Sequence, residues 1–513
     1  MNPLEAFRSG QLLHLHRLQS GDFTSALETR RNIARPALVQ ALLEYALHLA
    51  APKAVLENIK KLESEDAVTV MTGQQAGLLL GPAYSIYKAI DAILLAQKLS
   101  TPERPVLPVF WIASQDHDAQ EVRHAYLLDL SEKAHTISLE LPKGVPIGAI
   151  SLEPSYLETV LHHLEKFDAP THFKNPMLEV LRKTFAQSKT YAEWFARMLH
   201  HLLGQYGLII VDPMFPPVAA LFTEGIKREL ETPLVSSASI EAAAHALEHA
   251  GFTPQLRRTP NASNLFLTGE DGQRRLLKSD GTTFYAEREY TRQELEAILH
   301  SNPTRLTPAA GLRSILADMV FPSAINVLGP GELAYHLQLL GVYQLHNVPQ
   351  PLMSPRMNVV ILEPPIKRIL QKYSLSAYGF IAGDGKKLEA QLFETHAAKE
   401  RIEETLQNMM QQMRRLSSDL VLLEPGFTKN VERARRAVCF QLEHKLPHKL
   451  GAALARADKD LQQHLERLNK HLLPQGTPQE RHNSFLEYML KFGDVPLKRL
   501  FQLEPSQRHE LEL

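Results

Sequence analysis

The chain has 513 residues, and its 56 Lys and Arg against 57 Asp and Glu leave a formal net charge of −1. That balance excludes a nucleic-acid binder held by general attraction to phosphates, while 44% hydrophobic and 22% charged residues exclude wholesale disorder. The single cysteine, Cys439, excludes an internal disulfide and a thiolate-rich zinc centre.

No apolar run approaches the roughly 18 residues of a membrane span. The start, Met1-Asn2-Pro3-Leu4-Glu5, lacks the basic and apolar regions of a secretory signal. A cytoplasmic protein without a membrane or nucleic-acid partner is therefore expected. At about 150 residues per domain, the length allows roughly three units.

Residues 1–65 read as helices, with Leu38, Leu42, Leu43, Tyr45, Ala46 and Leu49 near helical spacing. From Ala67 the texture changes to short apolar runs, each closed by Gly or Asp and followed by a helical stretch. The predicted strands are Ala67–Thr72, Val106–Ile112, Leu208–Val211, Ile325–Leu328 and Val348–Met353. Unalternating apolar runs suit parallel strands buried on both faces, which points to a doubly wound α/β core over 66–385. Pro349 and Pro351 confine the last strand to an edge or to its entry.

Two insertions interrupt that core. Residues 126–200 are expected to be mainly helical. Residues 252–308 read as an antiparallel meander, with turns at Glu270-Asp271-Gly272 and Asp280-Gly281, feeding a helix opened by a capping box of Thr291 and Glu294. From 386 to 513 the chain is helical. Leu406, Met409, Met413, Leu416, Leu420 and Leu423 alternate spacings of three and four, as in a coiled coil. Glu424-Pro425-Gly426 ends that run, and a leucine run from Leu442 to Leu472, with Pro447 as a kink or start, suggests the second arm of an antiparallel hairpin that pairs with another copy.

Ligands of open α/β sheets sit beyond the carboxyl ends of the strands, which ranks the candidate residues. After the first strand come Gly73, Gln74, Gln75, Gly77 and Gly81, glycines for close backbone approach and glutamines for polar groups of a ligand. The second strand ends in Asp116-His117-Asp118, where a histidine between carboxylates suits a general base whose pKa its neighbours raise. A metal is not expected there, with one imidazole in the cluster, and Asp118 suits a helix cap equally. The third strand ends at Asp212. The fourth ends in Gly329-Pro330-Gly331-Glu332, read either as a backbone site for an anion or as helix capping. The fifth supplies Ser354 and Arg356, the latter suited to bidentate contact with a phosphate or carboxylate; Arg313 is a weaker candidate.

Four ordered motifs then point to a family. Val70 to Pro82, Pro108 to Ala113 with Asp116-His117-Asp118, Gly329 to Glu332, and Met353 to Asn358 resemble the bacillithiol biosynthesis cysteine-adding enzymes, and Leu473 to Arg481 resembles that family's C-terminal signature. Ser314 departs from the proline expected after Arg313. The resemblance implies a Rossmann-like core related to nucleotidylyltransferases, with a coiled-coil arm forming a homodimer. It implies a ligase that joins the cysteine carboxylate to the amine of glucosaminyl malate. Because a free carboxylate does not condense with an amine in water, ATP or another nucleotide, with magnesium, is the implied activator. On this reading Gln74, Gln75 and the Gly73–Gly81 backbone hold the activated carboxyl or phosphates, His117 with Asp116 deprotonates the amine, and Arg356 stabilises anions. The alternatives are a metal-dependent hydrolase centred on Asp116-His117-Asp118 and a non-catalytic coiled-coil scaffold.

Overall fold

The change of texture at Ala67 is where the central sheet begins. In a computed structural model describing residues 3–29, 32–386, 394, 396 and 398–513, the chain divides into two compact units. The first comprises residues 1–359 and 480–509, and the second 360–479 and 510–513. The chain thus leaves the first unit at Val359, so residues 360–385, read from sequence as core, belong to the second.

The strands of the first unit are β1 (Val68–Gln74), β2 (Val106–Ile112), β3 (His124–Leu128), β4 (Ala134–Ser138), β5 (Ile209–Val211), β6 (Ala262–Thr268), β7 (Arg274–Ser279), β8 (Phe284–Tyr285), β9 (Glu289–Tyr290), β10 (Leu306–Pro308), β11 (Ser323–Leu328) and β12 (Leu352–Pro355). Five of them form one parallel sheet in the order β12-β11-β1-β2-β5. Counted along the chain, β1 comes first and β11 fourth, so strand order reverses between these neighbours. That reversal is the switch point of a doubly wound sheet, and their carboxyl ends open a crevice there. The sheet strands are buried throughout apart from the last two residues of β1, which explains their unalternating apolar sequences. β12 starts only at Leu352, because Pro349 and Pro351 lack the N–H a ladder needs.

Three helices bring side chains to that crevice: α1 (Tyr84–Leu99), α2 (Ala310–Val320) and α3 (Pro330–His336). α1 buries eleven residues, including Lys88 and Asp91 among alanines and isoleucines. The meander forms as β6-β7-β8-β9, and β10 adds on the other side of β6. Its capping box is present, with Thr291 Oγ1 accepting from Glu294 N and Glu294 accepting from Thr291 N.

The insertion expected to be mainly helical opens instead with the β3-β4 hairpin. His135 and Ile137 face inward while Ala134, Thr136 and Ser138 face water, a period of two that a helix cannot satisfy. After a single 3-10 turn at Ile147–Ala149, α-helices follow from Pro154 onward.

In the second unit, α4 (Ala398–Leu423) is followed by a turn at Pro425–Phe427 and by α5 (Thr428–Phe440), which packs back on it. Cys439, half-buried in α5, lies 3.3 Å from Met410 Sδ of α4. A π turn at Gln441–Lys445 then leads into α6 (Leu446–Ala457). Pro447 has no N–H for the carbonyl four residues back, and the wider turn accommodates it within a nearly continuous helix. The leucine run read as one arm is two elements. After Asp458, which caps α7 (Lys459–Leu472) through Leu461 N, Leu468 and Leu472 bury against Ile366, Ile369 and Leu370 instead of continuing the arm.

Candidate active site

The crevice at the switch point encloses about 470 Å3. Its floor is the end of β1 and β11, and its walls come from α1, α2, α3 and the returning segment at Arg481. Of the residues singled out from sequence, Gly73, Gln74, Gln75 and Asp116 line it. Gly329, Gly331, Glu332 and Arg356 line it too, together with Arg313. His117, Asp118, Gly77, Gly81 and Ser354 are not on its wall.

Lys88, which sequence reading passed over, anchors the centre. Its side chain is 1% exposed, and Nζ donates to Glu332 Oε2 at 2.7 Å, to Gln74 Oε1 at 3.2 Å and to Gly73 O. Burial pushes its pKa below the ordinary lysine value against the pull of Glu332. Burial pushes Glu332 the other way, but Lys88 and then the Gly329 N–H outweigh it and hold the carboxyl below its usual range. Glu332 Oε2 accepts that N–H at 2.7 Å. The Gly329 amide is therefore taken by a carboxylate as helix capping, while Gly331 lines the crevice with open space beside it.

Asp116 sits between two arginines. Arg313 Nη1 donates to Oδ2 at 2.7 Å, and Arg274 Nη1, from β7 of the meander, stands 3.8 Å from Oδ1. Burial would raise the Asp116 pKa, but these two cations hold it below the usual carboxylate range. The same Arg274 Nη1 donates to His117 Nδ1 at 3.0 Å. His117 is thus pushed below the ordinary histidine value by burial and by Arg274, against Asp116 and Asp118. The upward shift expected from its flanking carboxylates is reversed. With Nδ1 accepting from a guanidinium, the ring proton belongs on Nε2, so His117 presents a donor where a general base needs a lone pair.

Asp118 is exposed and accepts from Gln120 N at 3.0 Å as the cap of a four-residue helix. Asp116 on Arg313, His117 on Arg274 and Asp118 on a helix start point to different partners and do not converge on one point. Among the described residues no group of three His, Cys, Asp or Glu converges as metal ligands.

Arg356 reaches the wall but spends its fork inside the protein. Its Nη1 and Nη2 donate to Glu480 at 2.9 and 2.6 Å, and the guanidinium lies 5.2 Å from the Tyr84 ring centroid. The fork read from sequence as holding a ligand's phosphate or carboxylate is instead taken up by Glu480, with Arg356 itself 4% exposed.

Gly77 and Gly81 serve packing: a Cβ on Gly77 would lie 2.7 Å from Gly81 Cα, and Gly81 has φ +67°. Ser354 Oγ meets Ser506 Oγ at 2.9 Å, away from the crevice. Asp212 is a buried turn anchor, accepting from Ser114 Oγ and, at 2.8 Å, from Met214 N.

Three buried polar atoms on the wall have no partner among the described residues: Gln75 Oε1, Trp111 Nε1 and His336 Nδ1. Such atoms cost free energy until something hydrogen-bonds to them. Burial lowers the His336 pKa to about 4, which makes it a neutral group at physiological pH.

Comparison with known proteins agrees with this architecture. Residues 8–357 match the bacillithiol biosynthesis BshC N-terminal Rossmann-like domain, and residues 359–512 match the BshC C-terminal coiled-coil domain. The chain belongs to the BshC family. A Thermus thermophilus protein with the name "Putative cysteine ligase BshC" is 41% identical over 93% of this chain and 94% of its own length. Relatives of the same name from Chlorobaculum tepidum and Salinibacter ruber are 30% and 29% identical, over 94% and 92% of this chain and 89% and 87% of their own lengths. The family is one of ligases, with a parallel Rossmann-like sheet followed by a coiled-coil domain. Among the described residues no helix is long and apolar enough to cross a membrane.

Proposed function

We propose that this chain joins the carboxyl group of cysteine to the amine of glucosaminyl malate, with a nucleotide activating the carboxyl group. The observation that carries the reading is the switch-point crevice itself. It is a pocket of small-molecule size, lined by charged and apolar groups alike, at the ligand position of a doubly wound sheet, in a family whose relatives are named as cysteine ligases.

The chemistry requires an activated acyl group. ATP would transfer AMP to the cysteine carboxylate with release of pyrophosphate, or a phosphoryl group with release of ADP; the acceptor amine would then attack the acyl carbon and expel AMP or phosphate. The amine loses a proton in that step. Glu121, on the wall and raised above the usual carboxylate range by burial and by the neighbouring charges of Asp118, Asp116 and Glu332, is a better acceptor for it than His117. Asp116, held low by its arginines, would remain ionised and fix Arg313 beside the reacting groups. Gly77 and Gly81 are packed against each other, so contacts to a nucleotide would come from side chains such as Arg313 and Gln75 and from the backbone at Gly331, which lines the crevice. Magnesium, when bound with the nucleotide, would offset phosphate charge.

Purified protein incubated with cysteine, glucosaminyl malate and ATP should yield a thiol of the condensed mass, and omission of any one should abolish it. No product with any nucleoside triphosphate would overturn the reading.

The arm supports assembly with a second copy. In one chain Met409 and Leu416 of the heptad stripe are 39% and 51% exposed, which suits a face awaiting a partner helix. Leu416→Lys should shift the sedimenting species from dimer to monomer. A wild-type monomer would remove this part of the reading.

A further inference from the structure

The wall of the crevice carries four cations, and three are already neutralised by the protein. Lys88 is paired with Glu332, Arg313 with Asp116 and Arg356 with Glu480. The fourth, Arg481, has no carboxylate within ion-pair distance among the described residues, and its side chain is exposed at the mouth.

Its backbone, by contrast, is clamped on both sides. Glu480 is locked into the Arg356 fork, and the His482 ring lies 4.3 Å from that of Tyr126. Asn483 O accepts from Ala83 N at 2.8 Å, and Ser484 Oγ donates to Leu79 O at 2.7 Å. A guanidinium on so fixed a segment binds an anion at the cost of ordering its own side chain alone, with the backbone already in place.

Glu121, likewise without an ion-pair partner among the described residues, faces the same feature. Both Glu121 and Arg481 act electrostatically on the phenol of Tyr84, with opposite sign. The mouth thus presents one uncompensated charge of each kind around one tyrosine.

We infer that the mouth is a subsite for a ligand bearing both an amine and a carboxylate, with Arg481 holding the carboxylate end while Glu121 faces the amine. Resting on the proposed function, this assigns Arg481 to substrate recognition. The acceptor, an amino sugar carrying two carboxylates, fits this chemistry, and so does free cysteine. A nucleoside triphosphate, with anionic groups and no aliphatic amine, does not.

The test is steady-state kinetics on Arg481→Gln and Arg481→Lys, with a methyl glucosaminide as a second acceptor that keeps the amine and lacks both carboxylates. Arg481→Gln should raise the KM of the amine-bearing carboxylate substrate about tenfold or more, with a smaller change in kcat, as expected for a lost charge-assisted bond. Arg481→Lys should recover part of it. The methyl glucosaminide should show a high KM with wild-type protein and no further rise with Arg481→Gln.

A rise confined to glucosaminyl malate identifies the acceptor, and one confined to cysteine identifies the amino acid. Unchanged KM for both, or a rise for ATP alone, overturns the inference. Glu121→Gln should act on kcat more than on KM. Should wild-type protein make no thiol at all, the proposed function falls separately. Calorimetry with glucosaminyl malate or cysteine then decides the subsite, since equal affinity for wild-type protein and Arg481→Gln, whose melting temperature verifies its fold, overturns it.

Discussion

In the α/β unit, Lys88, Asp91 and Arg356 are 1%, 0% and 4% exposed, and each is held by named partners. Lys88 has Glu332, Asp91 accepts from Met357 N and Ser506 N at 2.7 and 2.8 Å, and Arg356 has Glu480. In α4 of the helical unit the situation is inverted: no residue is buried, and leucines and methionines of the heptad stripe stand in partial contact with water. One region takes charge inside and matches it, whereas the other leaves apolar surface outside. The difference teaches where each region's order comes from. Buried ion pairs fix the geometry of a pocket, at a desolvation cost that only good partners offset. An exposed heptad stripe gains its stability from helices laid against it.

The largest effect should come from breaking a buried pair. Arg356→Ala leaves the Glu480 carboxylate with Asn358 Nδ2 at 2.9 Å and Val359 N at 3.3 Å but no cation. A loss of about 3–5 kcal/mol in urea unfolding is expected. A loss under about 1 kcal/mol would mean that the pocket wall does not depend on matched charge.

Asp91 sharpens the same contrast through pH. Burial raises its pKa from 3.8 to about 7, so the folded state binds a proton that the unfolded state releases across that window. The stability it contributes is present below pH 3.8 and is lost as pH rises towards 7. Asp91→Asn cannot titrate, so the melting temperature of the variant relative to wild type should climb between pH 5 and pH 8. A flat difference would show that Asp91 is already ionised in the folded state over that range, as it is in the unfolded chain.

The smallest effect belongs to the arm. Cys439→Ser replaces a half-buried thiol beside Met410, and a stability change below about 1 kcal/mol with unaltered turnover is expected. A large loss would show that the arm is packed as tightly as the sheet.

Much of the sheet was legible because its cause is local. Continuous apolar runs such as Val106–Ile112 appear only where both faces are covered, and the two prolines before Leu352 announce a late-starting edge strand. The β3-β4 hairpin was missed because five-residue alternation is a faint signal among helical neighbours. In the pocket, residues at strand ends were legible by position, and their partners were not. Lys88 did leave a trace, a lysine among the alanines, isoleucines and leucines of an otherwise largely apolar helix. Its role waited on Glu332, 244 residues away. Nothing local to Arg356 marks Glu480 as its partner, and nothing local to His117 announces Arg274.

By itself, then, the sequence determined the α/β core, the meander, the helical arm and the family, because period, turn chemistry and ordered motifs are written within a few residues of one another. Tertiary structure alone decided which charges are spent and which are free. It turned His117 into a donor, closed Arg356 on Glu480 and left Arg481 open. A charge is neutralised by whatever lies within a few ångströms in space, and only the folded chain sets that distance.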